Sequence, residues 1–190
     1  NLMSLKTWSL GFRNMDAQNE LARRLRALPQ VETVGMAMQA PFACGSNGVH
    51  VENEKMSWLN VAGLDSTSFR LLGFRVLEKY SEPLEGTYWF TEESKRRYGV
   101  SEENRTVGKR DDGTPEYECC GIIADYRPND ALRRPMEDSH NAVQNRTSIC
   151  SCIIVKVIGD RKEAFAAVSD VWRGVAVDYL GVPKAPEISY

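Results

Sequence analysis

The stretches SLKTWSLGF (residues 4–12), MDAQNELARRLRAL (15–28) and VETVGMAM (31–38) read as strand, amphipathic helix and strand. Near the other end, SCIIVKVI (151–158), RKEAFAAVSDVWRGV (161–175) and EISY (187–190) repeat that order at similar length. In the first helix Leu21, Leu25 and Leu28 recur at helical spacing, Arg23, Arg24 and Arg26 point elsewhere, and Pro29 enforces the stop. In the last helix Asp160 is the N-cap, with Glu163 three residues on, and Phe165, Val168 and Trp172 form the apolar stripe. Two β-α-β halves flanking an insertion predict a small scaffold whose ends return close together.

The middle third reads differently. Val49, Val51, Trp58, Leu59, Val61, Phe74 and Val76 fall in short runs separated by Gly45, Gly48, Gly63 and Gly73, as in strands joined by turns. A short helix is expected over 92–98, capped by Thr91 and ended by Gly99, and a single turn near 68–72, ended by Gly73. Residues 117–126 predict a long central strand, because apolar groups occupy both of its faces. Residues 127–147, rich in Pro, Asn and Asp, read as a surface loop. The expected class is therefore α+β with two lobes: residues 1–43 plus 119–190 form one, with its two β-α-β units, and the inserted, mainly β segment 44–118 forms the other.

Composition excludes several function classes. The 190 residues are 42% hydrophobic and 26% charged with a net charge of −2, ordinary globular material without the basic footprint of a nucleic-acid binder. No apolar run approaches the roughly 20 residues of a membrane span. The chain begins at Asn1 and shows no signal peptide, so it reads as a piece of a longer protein. Its two histidines, His50 and His140, have no carboxylate or cysteine at motif spacing. Residues 45–48, Gly-Ser-Asn-Gly, lack the Lys and Ser or Thr of a phosphate loop and lead into a strand.

The five cysteines form the one constellation with chemical potential. Cys119 and Cys120 are adjacent on one predicted strand, and Cys150 and Cys152 share a face of another. Buried core thiols, a disulfide, or a thiolate metal site are the competing readings, and the spacing matches no standard zinc pattern. Of the four tryptophans, Trp8, Trp58 and Trp172 read as packing residues, and Trp89, beside Tyr88 and Phe90, is the one to watch for a ligand role. Arg133 and Arg134 read as a solvated pair or an anion contact, and Asn104 and Asn145 each open a formal glycosylation sequon.

A series of short signatures, in order, resembles a family. Leu25, Leu28 to Val34 and Pro41 look like the first helix-to-strand passage of the extracytoplasmic core domain of MacB-like, FtsX-type ABC transporter permeases. Phe69, Leu72-Gly73-Phe74 and Leu77-Glu78, then Phe90-Thr91-Glu92 with Tyr98-Gly99, Gly108-Lys109, Gly121 to Tyr126, Leu132 to Met136 and Gly159 to Trp172 follow in register. Gln30 stands where the family usually has Gly, and Lys79-Tyr80 replaces its usual Gly-Arg.

The resemblance implies a porter-like α/β lobe carrying an inserted β lobe, placed on the periplasmic side of the cytoplasmic membrane. It also implies an ATP-binding subunit or domain as partner, a homodimer in the full-length protein, a periplasmic adaptor or substrate, and no catalytic residue, metal or cofactor in this domain. Two other functions remain open at this stage. One is a sensor module binding a peptide or lipid in a cleft near Trp89 and Trp58. The other is a thiol oxidoreductase built on Cys119, Cys120, Cys150 and Cys152, which needs an accessible thiolate of lowered pKa.

Overall fold

A computed structural model describes residues 1–7, 10, 15–38, 45–49, 57–109, 115–126, 139–146 and 151–189. The chain opens with β1 (Leu2–Lys6), α1 (Met15–Arg26), β2 (Val31–Ala37), β3 (Gly45–Val49) and β4 (Ser57–Leu64). It continues through α2 (Ser66–Leu71), β5 (Val76–Lys79), β6 (Tyr88–Thr91), α3 (Glu92–Tyr98) and β7 (Thr106–Lys109). It closes with β8 (Pro115–Ile123), β9 (Ser139–Asn145), β10 (Cys152–Val157), α4 (Arg161–Leu180) and β11 (Glu187–Ser189). The class is α+β, and the chain divides into two compact units. The first comprises Asn1–Pro41, Leu64–Leu72 and Thr147–Tyr190, the second Phe42–Gly63 and Gly73–Arg146.

In the first unit the two β-α-β segments interleave. The strand order is β11-β1-β10-β2, so β10 separates β1 from β2 and β1 separates β10 from β11. Every neighbouring pair in this group is antiparallel. This is the split β-α-β arrangement, in which each crossover helix bridges a strand belonging to the other half. Met3 pairs with Val155, and Val155 with Val34 on its other side, which puts their side chains on one face of the sheet. On that face they join Leu5, Ile153 and Val157 in a core closed by Leu21 and Leu25 of α1 and by Val168, Trp172 and Val175 of α4. The five helix side chains, at about 1.5–3 kcal/mol each, give burial the leading role in holding the helix layer down.

The helix ends follow their sequence signals. The Asp160 carboxylate accepts hydrogen bonds from the backbone N–H of Lys162 and Glu163 at 2.9 and 3.0 Å, satisfying two otherwise open donors of α4. Of the expected stripe Val168 and Trp172 are fully buried and Phe165 is exposed, and the helix read to Val175 continues through buried Ala176 to Leu180, where Gly181 at φ +70° ends it. Across the outer surface Arg24 donates to Asp178 at 2.6 Å and to Glu20 at 2.7 Å, and Arg23 donates to the other Glu20 oxygen at 2.7 Å. These bonds from Arg23 and Arg24 hold the Glu20 carboxyl down at about 2.

The opposite face of this sheet is closed by α2, whose Asp65 cap accepts from the Ser68 N–H at 2.6 Å. Here Gly35 is required for close approach. A Cβ at that position would lie 2.3 Å from Ser68 Oγ and 2.7 Å from the Ser68 backbone nitrogen. The Ser68 hydroxyl donates to the Met36 carbonyl at 3.0 Å, which fixes α2 onto β2.

The second unit is built around β8. Parallel β6 and antiparallel β5 flank its C-terminal half, and antiparallel β7 pairs with its N-terminal half. Beyond β6 lies antiparallel β9, and β3 pairs with β4. The expected central strand is therefore observed, beginning two residues earlier, and it lies in the second unit, where the sequence reading assigned residues from 119 onward to the first lobe. Strict alternation along it does not hold. Tyr88 pairs with Cys119 but Trp89 with Gly121, so a bulge at Cys120 shifts the pattern, and Cys119 and Ile122 enter one core with Leu59, Phe90 and Tyr117.

Residues read as one long loop are a second correction, because β9 runs through 139–145 with Ala142 and Val143 fully buried. Helix α3 falls where its caps placed it: Thr91, whose Oγ1 accepts from Ser94 N–H at 3.2 Å, caps its start at Glu92, and Gly99 with φ +63° ends it. The single turn read near 68–72 is α2, which begins two residues earlier, at Ser66.

Two outcomes follow from this packing. Gly35→Ala lowers unfolding stability by about 1–3 kcal/mol in urea titrations, the usual cost of overpacking, and adding Ser68→Ala fails to restore it because the backbone nitrogen remains in the way. A wild-type midpoint would show that α2 does not seat on β2. The Glu20 carboxyl, lowered in the folded state, contributes stability that is present above its ordinary pKa of 4.5 and lost as pH falls through about 2. Glu20→Gln is accordingly less stable than wild type at pH 6, and the gap closes as pH is lowered toward 2; a pH-independent gap would remove the ion pair as its cause.

Candidate functional site

The cysteines were the first candidates, and the topology keeps them apart. Strand β8, carrying Cys119 and Cys120, has β5, β6 and β7 as neighbours, whereas Cys152 on β10 sits between β1 and β2. All three are buried and none is in a disulfide; Cys44 and Cys150 lie outside the described residues. Each sulfur is held by a polar contact: Cys119 Sγ donates to the Gly121 carbonyl at 3.3 Å, Cys120 Sγ to the Tyr88 carbonyl at 3.3 Å, and Cys152 Sγ lies 3.0 Å from Ser4 Oγ. Burial pushes the Cys119 thiol up to about 12 and that of Cys152 up to about 11, and raises Cys120 as well. These are thiols kept protonated in apolar surroundings, the reverse of what a reactive cysteine needs.

His140 is buried on β9. Its Nδ1 lies 4.0 Å from Glu93 Oε1, and its ring meets Tyr98 edge-on at 5.5 Å. This is a packed position under α3. His50, Trp8, Arg133 and Arg134 lie outside the described residues. Among the described residues no group of three or more His, Cys, Asp or Glu side chains could hold a metal ion.

Trp89, the tryptophan singled out for a ligand, is a buried anchor. Its indole N–H donates to Asn145 Oδ1 at 3.0 Å, and its ring edge covers Gly121, where a Cβ would lie 2.6 Å from Trp89 Cζ3. Trp172 is fully buried in the first unit, and Trp58 is half-buried. An open hollow of about 510 Å³ lies elsewhere, beside Asp160, Arg161, Lys162 and Phe165 at the start of α4.

Asn145 is the residue whose role the sequence concealed. Its side-chain nitrogen reaches Thr87 Oγ1 at 2.9 Å, the Thr87 carbonyl at 3.3 Å and Cys120 Sγ at 3.3 Å, while its oxygen receives Trp89. Its backbone N–H donates to the Thr87 carbonyl and its carbonyl accepts from Gly86, both at 2.8 Å. One amide thus ties β9, β6 and β8 together. The Asn-Arg-Thr sequence around it offered only a sequon, and in the fold that nitrogen is committed to the interior. Asn104, in the other sequon, is exposed and donates to the Gly99 carbonyl at 3.2 Å.

A second polar group lies on the surface beside β5. Tyr80 donates to Glu78 at 2.6 Å, and Lys95 of α3 pairs with the other Glu78 oxygen. The lysine, first, and the tyrosine lower the Glu78 carboxyl, while burial raises the Tyr80 hydroxyl to about 12. Lys79 and Glu82 pair alongside at 2.5 Å. The charges here satisfy one another.

No family model and no curated protein matches the sequence. Solved structures do match in three dimensions. The periplasmic region of MacB from Actinobacillus actinomycetemcomitans is similar with a TM-score of 0.64 at 14% identity, over 100% of this chain and 88% of that one. The extracellular domain of the noncanonic ABC-type transporter YknZ from Gram-positive bacteria gives 0.60 at 11% identity, over 100% of both chains. A domain of a protein assigned as a permease in Porphyromonas gingivalis gives 0.59 at 13% identity, over 99% of this chain and 89% of that one. The chain therefore has the fold of these periplasmic and extracellular permease domains, and the fold anticipated from the ordered signatures is the one observed.

The buried thiols yield a direct check. Treating the native protein with a maleimide at pH 8 leaves Cys119, Cys120 and Cys152 unmodified in peptide mass spectra, and denaturation exposes all three. Modification of any of them in the native state would return the thiol-redox function to consideration.

Proposed function

We propose that this chain is the extracytoplasmic domain of an ABC transporter permease, and that it performs no chemistry of its own. The observation that carries the reading is the full-length fold match to permease domains of that kind. In this reading ATP binding and hydrolysis occur in a separate cytoplasmic subunit or domain. Membrane-spanning helices of the permease carry the resulting motion outward, and this domain applies it to a substrate for export or to a periplasmic partner. The full-length permease works as a homodimer in the cytoplasmic membrane with this domain on the periplasmic side.

The chain's geometry supports the reading. Strand β11 runs antiparallel to β1, with Ser189 opposite Ser4 and Glu187 opposite Lys6. The chain therefore enters and leaves the first unit at the same end, as a domain hung between two anchoring segments requires. No helix among the described residues is long and apolar enough to cross a membrane, so the anchors lie in flanking sequence under this reading.

Location and coupling can be read from one site. Leu84 is the most exposed large apolar side chain described, at 66%, and Leu84→Cys places a label there in the full-length gene product. A membrane-impermeant maleimide reacts with it while the cytoplasmic membrane is intact, and a spin label at the same position changes its spectrum with ATP in the reconstituted complex. Reaction only after that membrane is breached would overturn the location. A spectrum indifferent to ATP would overturn the coupling.

A further inference from the structure

The core of the first unit turns polar at one end. Lys6, Cys152 and Ala37 lie opposite one another across β1, β10 and β2, and in the row beyond them the Thr7 N–H donates to the Ser151 carbonyl at 2.8 Å. Shortly past Ala37 the chain leaves the first unit, and α1 begins from the same end because β1 feeds it. Thr7 continues the alternation of Met3 and Leu5, so its side chain faces the helix layer, and it is fully buried. Gln18 opens the buried line of α1 that runs on through Leu21, Ala22 and Leu25, and it too is fully buried. Both side chains thus lie between the sheet and the start of α1.

Neither is matched. Among the described residues the Thr7 hydroxyl and both the nitrogen and the oxygen of the Gln18 amide have no hydrogen-bond partner, although all three atoms are shut off from solvent. The contrast with nearby and comparable groups is sharp. The Ser151 hydroxyl, in the same row as Thr7, donates to the Met38 carbonyl. Gln144 and Asn145 of the second unit are bonded through both amide atoms. An unmatched amide gives up its hydration on folding and recovers nothing, and opening the segment that buries it returns that loss. The return shifts a local opening equilibrium by roughly tenfold to a hundredfold. Farther along α1 the balance reverses, because Leu21 and Leu25 lie in apolar core and Arg24 reaches Asp178 of α4 at 2.6 Å.

We propose that the start of α1, residues 15–18, is an opening element built into the fold. It unwinds and lets water reach the Gln18 amide and the Thr7 hydroxyl while the sheet and the rest of the helix layer stay folded. The closed arrangement is one of two states of this end, and the unmatched amide narrows the gap between them. The element yields beside the point where the chain leaves for the second unit, and it leaves the strand pairing of the first unit untouched. The inference needs only this packing and stands apart from the permease reading.

The test is native-state hydrogen exchange, read residue by residue at low urea concentrations. The N–H groups of residues 19–22 bond the carbonyls of residues 15–18, four positions back. They exchange through an opening insensitive to urea, and faster than those of residues 153–155, which follow global unfolding. Gln18→Met keeps the side-chain volume and removes both unmatched atoms. It slows exchange at residues 19–22 by about tenfold or more and raises the urea midpoint, and Thr7→Val shifts both in the same direction. Leu25→Met, an equally mild change within the apolar core, does neither. Exchange of residues 19–22 only with global unfolding would overturn the opening. Exchange unchanged by Gln18→Met would reduce it to the fraying of any helix start. A lowered midpoint in Gln18→Met, or its failure to fold, would show that the amide is matched in solution, as by buried water, and would overturn the proposal as well.

Discussion

The first unit depends on filling the slot between β1 and β2. Helix α1 joins these strands, yet they do not touch, because residues 152–157 lie between them and pair with both. That strand is buried on both faces, and its run Cys-Ile-Ile-Val is what a strand of this kind requires. On one face Ile153, Val155 and Val157 complete the core beneath α1 and α4; on the other the Cys152 sulfur meets Ser4 across 148 residues of sequence. Neither β-α-β half can close a core alone. Each lends the other a strand, and the closing contacts are long-range, the kind that make formation slow but the product cooperative.

The same arrangement explains how the second unit is accommodated. Its residues lie between β2 and β10 in sequence, so the insertion begins and ends where two neighbouring strands of the first sheet stop and start. One stretch, Leu64–Leu72, returns to the first unit and supplies α2 to the sheet face that α1 and α4 leave bare. Gly35 allows that return, since any side chain there would push α2 off β2. The second unit has its own centre in Asn145. Its half-buried amide has both its nitrogen and its oxygen hydrogen-bonded, and a matched polar group fixes strand register in a way apolar contacts do not.

What could be read from the sequence was whatever has a local cause. Caps at Asp160 and Thr91, the stops at Pro29 and Gly99, and the stripes of Leu21, Leu25, Val168 and Trp172 depend on neighbours within a turn or two. The fold class followed from their order. Strand β9 was missed because Asn141, Gln144 and Asn145 look like turn residues until their partners are known. Those partners include Asn60, the Tyr88 hydroxyl and Trp89, far away in sequence. The bulge at Cys120 was hidden for the same reason: alternation is local, but a register shift is set by the neighbouring strand. The boundary drawn at residue 119 cut through β8, which lies whole in the second unit, because a strand apolar on both faces announces that it is central without saying in which sheet. The site reading was limited differently. Cysteine pairs and lone aromatics are equally at home in cores and in sites, and only burial and partners distinguish Cys119 or Trp89 from a reactive or ligand-binding residue.

Under the proposed coupling, the direction of the chain ends also decides how a load is carried. Both ends leave the same edge of the sheet, so force from the anchoring segments acts along β1 and β11 and nearly perpendicular to their hydrogen bonds. Loading in that direction strains the bonds of β1 with β10 and with β11 together, where a force across the strands would part them one at a time. Five residue pairs join β1 to β10, from Leu2 with Lys156 to Lys6 with Cys152, and β10 passes the load to β2 through a further register of pairs. Helices α1 and α4, linked by the Arg24 bond to Asp178, lie across the same strands and resist their sliding. The first unit is thus stiff along the axis on which motion would arrive. A unit of that stiffness turns as a body when its anchors move, so displacement reaches the end where the chain passes to the second unit instead of being absorbed at the membrane.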